Sequence, residues 1–220
     1  MSYEFRLNRM FSKPLTSLLL KTPVTPNQVT LGSLFLGILA GCLFSRGIFS
    51  MEILAALCYL LAGILDNCDG EIARSKNRMS AWGAWLDIVS DILVDLSLFL
   101  GLAVGAARKG VAGPIVFFTI LCLSGALFHF SLVILEKLKG FGPAAFGAPH
   151  PEHKSRKNFF LTCFDALREG DTSWFVLLFV LFHKTEYLLW IGGLYMQLLW
   201  ISAVVINFKW YFSSVSRETR

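Results

Sequence analysis

Six stretches of this chain, roughly residues 29–49, 52–72, 83–107, 112–136, 172–186 and 187–208, run through apolar side chains with few charges. A helix needs about 20 such residues to cross the hydrocarbon core of a bilayer, and lipid leaves helices and closed barrels as the only spanning structures. Five of the stretches reach that length. The fifth in order, DTSWFVLLFVLFHKTE, is short and reads as a tilted span or an interfacial turn. The predicted fold is therefore an all-α integral membrane protein, a bundle of six transmembrane helices. Composition agrees: the 220 residues are 55% hydrophobic and 16% charged, where a soluble domain carries about a quarter charged residues. The first twenty residues lack the charged start and apolar run of a cleavable leader. The five cysteines show no metal-like spacing and read as reduced packing residues. Nothing in the chain points to nucleic acid as a partner.

Six spans put both termini on one side of the membrane. Sixteen of the 20 lysines and arginines then fall on that side, from Arg6 to Arg220, leaving only Arg46, Arg108, Lys109 and Lys184 on the other. The positive-inside rule makes the richer side cytoplasmic. Residues 1–24 form an amphipathic juxtamembrane segment, 25–212 the membrane domain and 213–220 a cytoplasmic tail. In the first of these, Phe5, Leu7, Met10, Phe11, Leu15 and Leu18 alternate with Arg and Lys, the pattern of a helix lying in the interface, interrupted at Pro14. The first span should begin sharply at Pro26, with Thr25 as its cap and Gln28 closing a capping box.

Against this apolar background, residues 65–95 hold five aspartates. Charge inside a span is costly and points to function. Asp66 and Asp69 are three apart, and Asp87 and Asp91 four apart, so each pair shares a helix face. A short connection over about residues 75–82 folds the two helices antiparallel and brings the pairs to face each other across a small gap. Carboxylates gathered in this way repel one another unless cations sit between them. An oxygen-only ligand set suits Mg²⁺ or Mn²⁺, with water and substrate phosphate completing the shell. Gly70, Ala73, Gly83 and Ala84 are small enough for a helix or a nucleotide to approach closely. Arg74 offers a planar fork for phosphate. Asp95 extends the ladder one turn deeper and reads as a hydrogen-bonding neighbour of the site.

Asp66-x-x-Asp69-Gly70-x-x-Ala73-Arg74, eight residues, then Gly83-x-x-x-Asp87-x-x-x-Asp91 resembles the signature of the CDP-alcohol phosphotransferase family at every specified position. With each residue at about one in twenty, chance would produce it on the order of 10⁻¹⁰ times per start position, so the motif is specific. The entry segment TPNQVT and the amphipathic segment before it resemble the family as well. The resemblance implies transfer of a phospho-alcohol group from a CDP-alcohol, CDP-diacylglycerol above all, to the hydroxyl of a small polar alcohol, with release of CMP. It implies two divalent ions held by Asp66, Asp69, Asp87 and Asp91, with Asp91 also the general base. It implies CDP-alcohol contacts from Asp66, Asp69, Gly70, Ala73, Arg74, Ser80 and Gly83, helped by Asn27 and Thr30, and a homodimer in the bilayer. Asn27 and Thr30 read equally well as plain residues of a helix start. For Arg74 the lesser alternative is a positive-inside anchor.

The acceptor is less legible. Relatives that use inositol phosphate hold its phosphate with basic residues in the part of the chain where Lys154 and Arg156 stand. Both residues also suit an anchor to anionic headgroups. His150 and His153 read as a loop pair rather than a metal site. The entry KTPVTPNQVT also resembles the transferase half of proteins whose donor is a CDP-inositol-type compound and whose acceptor is an inositol phosphate, an alternative to the phosphatidyl donor. From other classes, a cation or proton pathway predicts acidic residues spread through the membrane depth, and a non-catalytic scaffold gives no reason for the aspartate spacing.

Overall fold

The computed structural model describes residues 7–111, 113–139 and 172–218. Those residues form seven helices and no strands: α1 (Leu7–Leu19), α2 (Pro26–Phe44), α3 (Phe49–Ser75), α4 (Ala81–Arg108), α5 (Ile115–Lys139), α6 (Thr172–Leu181) and α7 (Tyr187–Glu218). Five of them, α2 to α5 and α7, are long and apolar enough to cross a membrane. The fifth expected span, the short one, is present as α6, whose ten residues rise about 15 Å, half of a hydrocarbon core. The expected bundle of six spans is thus five helices of spanning length and one short apolar helix among the described residues. The all-helical multi-pass architecture stands.

The chain divides into two compact units. One holds residues 1–119 and 171–191, and the other residues 120–170 and 192–220. In the first, α2 packs along both α3 and α4, and those two make no comparable contact with each other. The approach of α2 to α4 is close because glycines line it. A side chain at Gly101 would collide with the backbone carbonyl of Gly41, and one at Gly41 with Ser97. On its other face, α3 packs against α1 and α6. Val29, Leu60, Ile64, Cys68 and Ile72 form the buried core there, with Leu15, Leu19, Trp174 and Leu177 laid over it. Leu31 and Phe35 on α2, Leu54, Leu57 and Leu61 on α3 and Leu100 and Val104 on α4 are exposed, as faces that meet lipid should be.

The far end of α3 carries a polar clasp. Glu52, 3% exposed, forms an ion pair with Lys109 at the end of α4 and accepts a hydrogen bond from Thr185 Oγ1 at 3.0 Å. Beside it, the Phe49 and His183 rings stack with centroids 3.7 Å apart. A buried carboxylate without such partners would be strongly unfavourable.

In the second unit, Gln197 Nε2 donates to the Leu121 carbonyl at 2.8 Å and to Ser124 Oγ at 3.2 Å, joining α5 to α7. Phe128 and Trp200 add a ring contact at 5.3 Å.

Two local expectations meet the structure differently. The helix start at Pro26 is as read from the sequence: Gln28 Oε1 accepts the Thr25 backbone N–H at 2.9 Å. Pro14, by contrast, does not interrupt α1, which runs unbroken from Leu7 to Leu19. Pro14 lies on the exposed face. Met10, whose carbonyl Pro14 has no N–H to serve, is exposed as well, while polar contacts on the inner face hold both halves of the helix to α3 and α6.

Candidate active site

Asp66 and Asp69 stand in the last three turns of α3, and Asp87 and Asp91 in the first three turns of α4. Five residues separate the two helices. Their geometry follows from local chemistry. Asn77 adopts a positive φ of 52°, which asparagine tolerates, and it closes the end of α3. The Arg78 N–H reaches back to the Ala73 carbonyl at 2.9 Å, and the Asn77 N–H to the Arg74 carbonyl at 3.2 Å. Ser80 then starts α4: its Oγ accepts the Gly83 N–H at 3.0 Å. Ser80 thus has an observed structural role as the cap of the helix that carries Asp87 and Asp91.

Because α3 and α4 both pack on α2 and not closely on each other, a gap opens between their carboxylate-bearing ends. One oxygen each from Asp66, Asp69 and Asp87 lies within 4.8 Å of the other two. Asp69 is buried, Asp66 and Asp87 half-buried, and Asp91, one turn on from Asp87, is exposed and does not join that triplet. Three hard oxygen donors converging from two helices fit a divalent cation such as Mg²⁺ or Mn²⁺. Coulomb repulsion between the three would otherwise oppose their approach.

The supporting residues come from the start of α2. Thr30 is buried, and its Oγ1 lies 2.5 Å from Asp69 Oδ2 and 3.2 Å from the Pro26 carbonyl. A hydroxyl has one proton, and the shorter, charge-assisted contact takes it. Thr30 therefore orients Asp69. Asn27 lies nearby: a side chain at Gly83 would come within 3.2 Å of Asn27 Oδ1 and 3.1 Å of Ser80 Oγ. Gly70 likewise leaves room for Arg74, since a Cβ there would stand 3.3 Å from a guanidinium nitrogen. Arg74 itself is exposed at the end of α3 and Ala73 is half-buried beside it. All the expected site residues of α2, α3 and α4 thus gather at one end of the first unit. Lys154 and Arg156, the expected acceptor contacts, lie outside the described residues.

Residues that the sequence did not single out surround this end. Glu71 Oε1 accepts from Ser12 Oγ at 3.1 Å and Glu71 Oε2 from Thr16 Oγ1 at 2.6 Å. Lys76 Nζ donates to the carbonyls of Thr22 and Val24 at 3.0 and 2.8 Å, fixing the link that leads into α2. The signal for the α1 contacts was present in the sequence: Asn8, Ser12 and Thr16 recur every four residues, opposite the apolar positions Met10, Phe11 and Leu18.

Comparison with known proteins agrees with this geometry. A family model described as CDP-alcohol phosphatidyltransferase matches residues 23–205. The bifunctional IPC transferase and DIPP synthase of Archaeoglobus fulgidus is 30% identical over 181 residues, 80% of this chain and 34% of that protein. The chain thus spans about a third of the length of that relative. The archaetidylinositol phosphate synthase of Pyrococcus horikoshii is 29% identical over 67% of this chain and 73% of its own length. The fold is shared with the Mycobacterium tuberculosis phosphatidylinositol phosphate synthase solved with CDP-DAG bound, at a TM-score of 0.55 and 19% identity, covering 91% of this chain and 92% of that one. A match that opens two residues before the Thr25 cap and runs to residue 205 takes in the whole carboxylate site, and the chain belongs to the CDP-alcohol phosphatidyltransferase family.

Proposed function

We propose that this protein is a divalent-metal-dependent transferase. It moves a phospho-alcohol group, phosphatidyl in the leading reading, from a CDP-alcohol such as CDP-diacylglycerol to the hydroxyl of a small polar alcohol, releasing CMP. The observation that carries the proposal is the convergence of Asp66, Asp69 and Asp87 within 4.8 Å, inside an intact family signature. In this reading Asp66, Asp69, Asp87 and Asp91 would hold two divalent ions. Bound divalent ions would supply positive charge against the donor's pyrophosphate. Thr30 keeps Asp69 aimed, and Arg74, at the end of α3, binds donor phosphate through its fork. Gly70 and Gly83 leave the space that the CDP moiety fills, with Asn27, Ala73 and Ser80 along its edge. Asp91 is the general base. It takes the proton from the acceptor hydroxyl, whose oxygen attacks the phosphorus of the phospho-alcohol, and the bond from that phosphorus to the CMP oxygen breaks.

The acceptor we propose is an inositol phosphate, held by Lys154 or Arg156. Support comes from the names of two relatives, the Pyrococcus horikoshii synthase and the phosphatidylinositol phosphate synthase of Streptomyces avermitilis, 31% identical over 113 residues. A CDP-inositol-type donor is the second reading, favoured by the 30% identity to the bifunctional Archaeoglobus fulgidus protein. The lysine and arginine distribution supports termini and site on the cytoplasmic face. A homodimer is the assembly the family resemblance suggests, and cross-linking in native membranes tests it.

The deciding experiment is CMP release by purified protein in lipid with Mg²⁺ or Mn²⁺. Both donors are tested against inositol 1-phosphate, inositol, glycerol 3-phosphate, serine and choline, with Asp91→Asn as control. Acceptor-dependent CMP from the parent, lost in the variant, supports the proposal and names the acceptor. No CMP with any pairing, together with no metal-dependent donor binding, overturns it.

A further inference from the structure

Glu71 has no assigned part in the chemistry, yet it is among the most constrained side chains near the carboxylate triplet. It sits two residues beyond Asp69 and five beyond Asp66. At 100° per residue it therefore lies on the far side of α3 from the site. There it meets α1. Both carboxylate oxygens are engaged, one by Ser12 and the other by Thr16, hydroxyls one helical turn apart. The same contact holds Cys68, fully buried between the two metal-site aspartates in sequence, with its thiol 3.6 Å from the Ser12 carbonyl.

Apolar packing alone would leave α1 free to slide or roll along α3, because dispersion contacts are individually weak and non-directional. Two hydroxyls on two oxygens of one carboxylate do not allow this. A shift of one turn breaks one bond and leaves a half-buried acceptor short of a donor. The turn of α3 bearing Asp69 is thus held from several directions: by Glu71 to α1, by Thr30 of α2 on Asp69 itself, and by Lys76 to the carbonyls of Thr22 and Val24 between α1 and α2. The outer face of α1 has Met10 61%, Phe11 48% and Leu18 60% exposed beside Lys13, a surface for the membrane interface.

We propose that Glu71 is a positioning residue for the metal site. Through Ser12 and Thr16 it ties the Asp66–Asp69 turn to the juxtamembrane helix, so that α1 sets the spacing of these carboxylates from Asp87. The inference rests on the metal reading of the triplet given above. Its test is direct binding of Mn²⁺ alone, followed by loss of the free-ion electron paramagnetic resonance signal, on full-length protein in lipid nanodiscs. Thermal unfolding in metal-free buffer is recorded in parallel. Outer partners of metal ligands typically control affinity by about 10- to 100-fold. Glu71→Leu and the double variant Ser12→Ala, Thr16→Val should both raise the Mn²⁺ half-saturation about tenfold, with turnover at saturating Mn²⁺ within about twofold of the parent. Glu71→Gln retains one acceptor oxygen and should fall between the parent and Glu71→Leu. Unchanged Mn²⁺ half-saturation in the variants, whatever their melting temperature, overturns the proposal and leaves Glu71 a purely structural contact. Should Glu71→Leu not fold, the hydroxyl double variant decides. A parent that binds no Mn²⁺ removes the metal reading itself, and this inference with it.

Discussion

Thr30 on α2 donates its hydroxyl proton to Asp69 on α3 at 2.5 Å, across 39 residues of chain. This bond links the segment that enters the first long helix to a carboxylate of the site. Hydrogen bonds to charged groups contribute about 1.5–3 kcal/mol, so Thr30→Val, which keeps the shape and removes the donor, should be felt at the metal. Half-saturation by Mn²⁺ in the CMP-release assay should rise about 10-fold or more. An unchanged metal titration in a folded Thr30→Val protein would show that Asp69 holds its position without help.

Asp91 does not join the triplet of Asp66, Asp69 and Asp87, so its part as base can be tested apart from capture of an ion by those three. Asp91→Asn keeps the size and removes the basic oxygen. Acceptor-dependent CMP release should fall by about 10²- to 10⁴-fold, while Mn²⁺ still binds. Loss of all Mn²⁺ binding in the variant would instead make Asp91 a ligand first and a base second.

How much of this could be read from the sequence differs from residue to residue. The four aspartates declared themselves because three- and four-residue spacings fix a shared face whatever the surroundings, and a carboxylate in an apolar helix needs a reason. The start of α2 was legible because a capping box is a local device, closed within four residues. Glu71 was not, since its partners lie 59 and 55 residues away. The apolar stripe of α1 is legible as a stripe, but the packing of α1 also uses the polar row of Asn8, Ser12 and Thr16 beside Leu15 and Leu19. The resemblance gives Ser80 a nucleotide contact, and the cap it makes for α4 is a further role that the structure adds. Proline propensity alone reads Pro14 as a break, and the contacts that hold both halves of α1 in place come from residues far along the chain.

The α2–α4 seam depends on the absence of side chains. A methyl at Gly101 would meet the carbonyl of Gly41, a backbone atom that cannot rotate away. Gly101→Ala should lower stability by about 1–3 kcal/mol through overpacking. Leu100→Ala, next to it but 48% exposed, is the control and should melt close to the parent. Thermal unfolding in one detergent distinguishes the two, and equal melting of both variants would mean that the seam can open without cost.

At the opposite end, Glu52 and Lys109 should behave as a pair. Glu52→Gln leaves Lys109 without its counter-charge, at a cost of about 3 kcal/mol, the low end for a buried pair because the Lys109 side chain remains 29% exposed. Glu52→Gln with Lys109→Met should recover part of that loss, because no lone charge is left behind. A double variant melting below both single variants would contradict this account.

Asn8 closes the largest loop among these contacts. Its Nδ2 donates to Ser173 Oγ at 3.2 Å, and its Oδ1 accepts from Trp174 Nε1 at 2.9 Å, partners more than 160 residues later in the chain. Ser12 and Thr16 meet Glu71 of α3, while Asn8 meets only α6 in these bonds, so the hydrophilic row of α1 is complete only once α6 has been made. The seating of α1 therefore waits on a segment that follows α2 to α5 in the chain.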